Sequence, residues 1–203
     1  MEISDKIDIE EISALSELPM HKIWNAYLYG SRVYGTNRSN SDYDIILIAS
    51  SLDKDKEIKG EKYNIHITTP DAFADDLFNY KMVPIECFFA PSFARIQEKK
   101  FFYLNIDELK LKKNILIHSN NSWIKAKFKL NENDILRGTK SVFHSLRILK
   151  FGLQILKKGE IYDFSAANHF WDEINDSNQF EWKYFHKKYI SVKKKLEYLV
   201  REA

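Results

Sequence analysis

The residues best equipped for chemistry are Asp42 and Asp44, in Ser41-Asp42-Tyr43-Asp44-Ile45-Ile46-Leu47-Ile48. The aliphatic run after them reads as a strand, and side chains two apart on a strand leave from the same face. Asp42 and Asp44 are thus expected side by side, with Tyr43 turned the other way. Two like charges at that spacing need an opposite charge, and a hard divalent cation such as Mg2+ or Mn2+ fits their oxygen chemistry. Ten residues upstream stands Tyr29-Gly30-Ser31. A Gly-Ser turn can offer backbone N–H groups and a hydroxyl to a phosphate. Together these are the parts of metal-assisted phosphoryl or nucleotidyl transfer. Alone, a Gly-Ser pair is a common turn and an Asp-x-Asp a common strand end or helix cap. Their combination, with an apolar run on each side, argues for a site.

The elements that must hold these residues can be read from periodicity. Residues 5–18 carry Ile7, Ile9, Ile12, Leu15 and Leu18 near helical spacing, and Pro19 ends the run. Strands are expected at 23–29, at 43–49 (nearly all apolar, hence buried) and at 63–68, where Tyr63, Ile65 and Ile67 alternate with Asn64, His66 and Thr68. Residues 31–36 suit one helical turn, Thr36 to Ser41 a polar loop, and Asp53 to Lys62 a charged, hairpin-like connection around Gly60. Thr69 and Pro70 mark a helix start. The apolar run Ile85 to Ala90, closed by Pro91, reads as one more strand. From Ile106 the pattern is helical, with helices expected over 122–130, 139–158 and 183–202; Val142, Leu146, Leu149, Leu153 and Leu156 form a packed stripe.

The fold class expected is therefore α/β (α+β), a mixed sheet with flanking helices. An α/β core over residues 1–95 precedes a helical part over 96–203, packed on the core. At 203 residues with 44% hydrophobic content the chain can build a real core. No apolar run is long enough to span a bilayer, the N-terminus is acidic, and the single Cys87 cannot form an internal disulfide. No membrane partner and a cytoplasmic location are expected. Net charge is only +2 but uneven. Residues 1–80 hold 8 basic and 15 acidic side chains, net −7; residues 111–160 hold 11 and 3, net +8. That asymmetry suits a protein binding cations with one part and phosphates with another.

Tyr29-Gly30-Ser31, the ten-residue spacer and Asp42-Tyr43-Asp44 with its aliphatics resemble the nucleotidyltransferase superfamily that includes DNA polymerase beta and kanamycin nucleotidyltransferase. The longer form, Gly30-Ser31-Arg32-Val33-Tyr34-Gly35-Thr36 plus Ser41-Asp42-Tyr43-Asp44, is similar to a bacterial and phage branch of predicted nucleotidyltransferases. Phe73-Ala74-Asp75-Asp76-Leu77, Ile85-Glu86-Cys87-Phe88-Phe89-Ala90-Pro91 and Lys140 to Ile148 look familiar from the same branch. The resemblance implies a nucleotidyltransferase-type mixed sheet and transfer of a nucleoside monophosphate from a nucleoside triphosphate to an acceptor. That acceptor, left open, is a small molecule, a protein or RNA. It implies Mg2+ or Mn2+ on Asp42 and Asp44, and phosphate binding by Gly30 and Ser31 with Ser41 near; Arg32 and Arg38 are near enough in sequence to assist, and both suit a solvated surface as well.

The family supplies a third carboxylate from the next strand, and here that polar face shows only Asn64, His66 and Thr68. Three readings stay open. His66 acts as the base, its pKa lying near neutrality. Glu86 reaches the site as a ligand, or is instead salt-bridged. Or two carboxylates suffice for nucleotide binding with little or no turnover, giving a nucleotide- or RNA-binding module. In the helical part Lys140, His144 and Arg147 follow an i, i+4, i+7 path and are expected to meet a triphosphate or an RNA backbone. Lys193-Lys194-Lys195 reads as a solvated helix face.

Overall fold

The computed structural model describes residues 7–50, 52 and 55–203. Positions 5 and 6 of the first expected helix, and Asp53 and Lys54 of the charged connection, lie outside them. The chain folds as two compact units, one up to Leu104 and the other Asn105–Ala203.

The first unit is built on a five-stranded mixed sheet of order β3-β4-β2-β1-β5. Its strands are β1 (Ile23–Tyr29), β2 (Tyr43–Ala49), β3 (Lys56–Lys59), β4 (Tyr63–Thr68) and β5 (Arg95–Glu98). β2 and β4 run parallel and every other neighbouring pair antiparallel. β1 and β2 are central, which is why both are almost wholly apolar. Helix α1 (Ile9–Ser16) starts where the Asp8 side chain accepts from Glu10 N–H. It reaches the sheet through Glu11, which accepts a 2.7 Å hydrogen bond from the Tyr63 hydroxyl. Helix α2 (Ser31–Tyr34) is the expected single turn, and α3 (Pro70–Phe78) begins at Thr69, whose hydroxyl accepts from Ala72 N–H.

Two expectations fail here for physical reasons. The segment expected as a strand at 85–90 is helix α4 (Met82–Phe88). A short apolar run does not distinguish strand from buried helix, and every residue from Pro84 to Cys87 is buried whichever way it winds. The sheet also extends past residue 95, because β5 pairs with β1. The charged connection contains a true strand, β3, whose outward face explains its Lys and Glu content.

The second unit is helical: α5 (Glu108–Asn131), α6 (Ile135–Lys158), α7 (Asn168–Asn175) and α8 (Trp182–Glu202). Asp107 and Asp134 cap α5 and α6. The two long helices approach closely at Gly152, where a Cβ would stand 2.3 Å from Ile115 Cδ1 and 2.8 Å from its Cγ2. Lys193, expected on a solvated face, is only 4% exposed: its ammonium donates to Glu197 and lies 5.8 Å from the Trp123 ring centre. Lys194 and Lys195 are exposed. Gly152→Val should lower unfolding free energy by about 1–3 kcal/mol, the cost of overpacking a filled core. Chemical denaturation followed by helical circular dichroism measures it, and an unchanged midpoint would show that the helix contact yields freely.

Candidate active site

The pairing of the strands sets the site. Asp44 lies opposite Tyr29 on β1 and opposite Asn64 on β4, and Asn64 lies opposite Lys59 on β3. Paired residues share a face, so Tyr29, Asp44, Asn64 and Lys59 form one row across the sheet. Asp42, two residues before Asp44, points to that same face. Both carboxylates are half-buried.

Asn64 is the residue the sequence pattern named without assigning. Its Nδ2 donates to Asp42 Oδ2 and, at 3.3 Å, to Asp44 Oδ1. One amide thus ties the two like charges together. The available signal was register: in a parallel pair the third polar position of the site had to be the β4 residue level with Asp44.

Gly30 ends β1 on the same side. Its φ of 82° is one that residues with a side chain rarely adopt, and a Cβ there would stand 2.6 Å from Asp44 Oδ2. The glycine is required twice, by its backbone and by the carboxylate against it. Ser31 follows as the first residue of α2, half-buried.

Arg32, expected near phosphate, is used on the chain itself. Its Nε donates to the Asp42 carbonyl at 3.2 Å, another guanidinium nitrogen donates to the Ser41 carbonyl, and the group lies 3.7 Å over the Tyr43 ring. The Ser41 hydroxyl accepts from Arg38 N–H at 2.9 Å. Both residues brace the loop that delivers Asp42. Tyr29, opposite Asp44, has its hydroxyl pushed well up by burial and then by the Asp44 charge, so it is a neutral phenol at ordinary pH.

Glu86 is 2% exposed on α4 and accepts a hydrogen bond from the Tyr34 hydroxyl of α2. Among the described residues no three His, Cys, Asp or Glu side chains converge to hold a metal ion, so Glu86 does not join Asp42 and Asp44 in a three-carboxylate cluster. It fastens α2, the helix after the Gly-Ser turn, to α4. Burial, with Glu86 beside it, pushes the Cys87 thiol up, leaving it a packed, protonated side chain. His66 lies one row along, opposite Ile46 and Glu57, with Nε2 3.9 Å from Asp55 Oδ2.

Lys140, His144 and Arg147 all belong to α6 of the second unit. Only Lys140 is exposed. Arg147 is 5% exposed, its guanidinium 5.7 Å from the Phe143 ring centre and 5.5 Å from that of Phe151. Burial first, then Arg147, Lys140 and Lys125, hold the His144 imidazole well below its ordinary pKa, hence neutral. α6 is buried around most of its circumference, so the line of three is not an open cationic face.

Residues 10–81 match the family model Polymerase beta, Nucleotidyltransferase. The matched segment runs from α1 to just past the end of α3, and it is similar to the nucleotidyltransferases of the polymerase beta superfamily. It contains Gly30, Ser31, Asp42, Asp44 and Asn64 and stops before Glu86. Curated proteins give no match to the chain. No helix among the described residues is long and apolar enough to cross a membrane.

Two outcomes are expected from this geometry. Gly30→Val should weaken Mn2+ binding at the carboxylate pair by about tenfold or more, about 1.4 kcal/mol, because the new side chain displaces Asp44; titration of Mn2+ checks it, and unaltered binding would make the turn merely structural. Glu86→Gln should leave Mn2+ affinity unchanged, whereas Tyr34→Phe should cost about 1–3 kcal/mol of stability by removing a donor from a buried carboxylate. A fall in Mn2+ affinity with Glu86→Gln would return Glu86 to the ligand set.

Proposed function

We propose that the first unit is a metal-dependent nucleotidyltransferase, moving a nucleoside monophosphate from a nucleoside triphosphate to an acceptor. The observation that carries the reading is the convergence of Asp42 and Asp44 on one point, beside a glycine turn whose backbone approaches the Asp44 carboxylate. Their oxygens meet at the Asn64 amide nitrogen, the place where a positive group sits between two anions. A small hard cation suits such a donor set, since Mg2+ commonly takes one or two carboxylates and completes its shell with water and substrate phosphates. A half-turn of the Asn64 amide would offer a neutral carbonyl oxygen to the same point.

In this reading Asp42 and Asp44 would hold Mg2+ or Mn2+, which when bound offsets charge on the triphosphate and on the departing pyrophosphate. Every other contribution comes from the chain. Gly30 and Ser31 would receive the β- and γ-phosphates on backbone N–H groups and the Ser31 hydroxyl. Arg32 and Ser41 keep Asp42 in place by fixing the loop that precedes β2. The neutral Tyr29 and the apolar residues of β1 and β2 limit water around the carboxylates, which strengthens the electrostatic terms that matter for phosphoryl chemistry.

Asn64 also favours a second reading, a module that binds nucleotide and turns it over slowly or not at all. Both readings require the same binding step. Asp42→Asn with Asp44→Asn should abolish Mn2+-dependent ATP binding, measured by equilibrium dialysis, with the thermal midpoint held or raised as repulsion is removed. Persistent binding in the double variant would overturn both. Pyrophosphate release by the wild-type protein with Mn2+ and each of the four ribonucleoside triphosphates separates the enzyme from the module.

A further inference from the structure

We propose that the first unit binds the base of its nucleoside triphosphate in an aromatic pocket on the carboxylate face of the sheet, with Phe101 as the ring that stacks on it. This rests on the nucleotidyl-transfer reading and assigns a place to the one part of the nucleotide that the Gly30-Ser31 turn and the Asp42 and Asp44 pair leave unassigned. The pocket has a volume of about 290 Å3 and is walled by Tyr27, Phe73, Phe88, Phe89, Phe101 and Phe102. Clefts for small ligands begin near that size, at about 300 Å3, and are lined mainly by apolar and aromatic side chains.

Most of these rings pack on one another. Tyr27 stacks on Phe73 with ring centres 6.4 Å apart, Phe73 meets Phe102 at 4.8 Å, and Phe88 meets Phe89 edge to face at 5.0 Å. Phe101 is different. It lines the pocket, makes no ring contact with the described residues and is 73% exposed. A phenyl ring standing in water at an aromatic pocket is a stacking surface without its partner, and a flat π-system laid on it covers both faces of the contact.

The polar groups of the pocket set the charge of the occupant. Arg95 donates from Nε to the Ala90 carbonyl at 2.8 Å and from a guanidinium nitrogen to Glu98 at 3.2 Å. The Tyr27 hydroxyl donates to the other Glu98 oxygen at 2.7 Å. Cation and anion are thus paired with each other, and the pocket suits a neutral ring better than a phosphate. Of the parts of a nucleoside triphosphate, the base is the one that is flat and uncharged.

Position links the pocket to the carboxylates. Tyr27 is two residues from Tyr29 on β1, so both point to the face that carries Asp44. Tyr29 is level with Asp44 on the next strand. The step from Asp44 to Tyr27 in the plane of the sheet is then roughly 8 Å, from about 6.6 Å along the strand and about 4.8 Å across it. A nucleotide covers such a step through its sugar, with phosphate at one end and base at the other.

The test uses the full chain with Mn2+ and compares ATP with ribose 5-triphosphate, which carries the same phosphates and no base. Equilibrium dialysis should show ATP held about tenfold or more tighter by the wild type. Phe101→Ala should weaken ATP about fivefold or more, the lower end of what one stacked base contributes, and leave ribose 5-triphosphate unchanged. Phe101→Trp keeps a ring and should keep the preference for ATP. Phe89→Ala, on α4, should act as Phe101→Ala does, and decides the matter where that variant does not fold. Equal wild-type affinity for the two triphosphates overturns the proposal. So does an ATP preference that survives both alanine variants, or a loss shared equally by both triphosphates. Binding of neither triphosphate by the wild type overturns the proposed function itself.

Discussion

Two carboxylates held two residues apart on one strand face repel each other, and the first unit is arranged around that repulsion. Two unit like charges about 4 Å apart repel by about 4 kcal/mol at an effective dielectric near 20, and by less where water reaches them. The sheet does not let the pair escape it. β2 is a central strand, bonded to β1 on one side and β4 on the other, so Asp44 cannot swing away without breaking ladders on both flanks. Arg32 holds the backbone of Ser41 and Asp42 from below. Gly30 closes the space behind Asp44 with bare backbone. The Asn64 amide relieves the repulsion by donating to both carboxylates.

Much of this was legible in the residues because strand period and turn chemistry are local. Asp42 and Asp44 on one face, the glycine turn, the helical turn at Ser31 and the cap at Thr69 follow from spacings of a few residues. What was not legible depends on register and tertiary placement. The face Asn64, His66 and Thr68 was visible, but which member met the carboxylates needed the parallel pairing of β2 with β4. The run Ile85 to Ala90 satisfies a strand and a buried helix equally, and Glu86 found its partner, Tyr34, 52 residues away in sequence. Lys193 is charged by sequence and buried by packing, its ammonium 5.8 Å from the Trp123 ring centre and bonded to Glu197.

The basic asymmetry of the chain carries the same lesson. The count of Lys and Arg over residues 111–160 is a property of the sequence, whereas a binding face is a property of exposure. Arg147 and His144 contribute charge or titratable groups to that count, yet one is buried near aromatic rings and the other is kept neutral by burial and by its basic neighbours. Lys125 and Lys127 are exposed, spread along α5 in the manner of a solvated surface. The positive charge of the second unit is therefore less concentrated on one line than the helical spacing suggests.

Replacing a third carboxylate by an amide changes what the site does before any substrate arrives. Three carboxylates around one point would leave the apo-protein with uncompensated charge, stabilised only by a bound cation. Asn64 is close to aspartate in size but brings N–H donors, so the pair is tied together with no metal present and its geometry is set in advance. The consequence runs the other way once a cation binds. An amide oxygen attracts a divalent ion less than a carboxylate does, so under the proposed function the protein ligands alone would hold the ion weakly, and triphosphate oxygens would make up a larger share of its shell. In a site of that kind the affinities for metal and nucleotide would be coupled: each ligand would supply contacts the other lacks, and by linkage each would strengthen the other by the same factor.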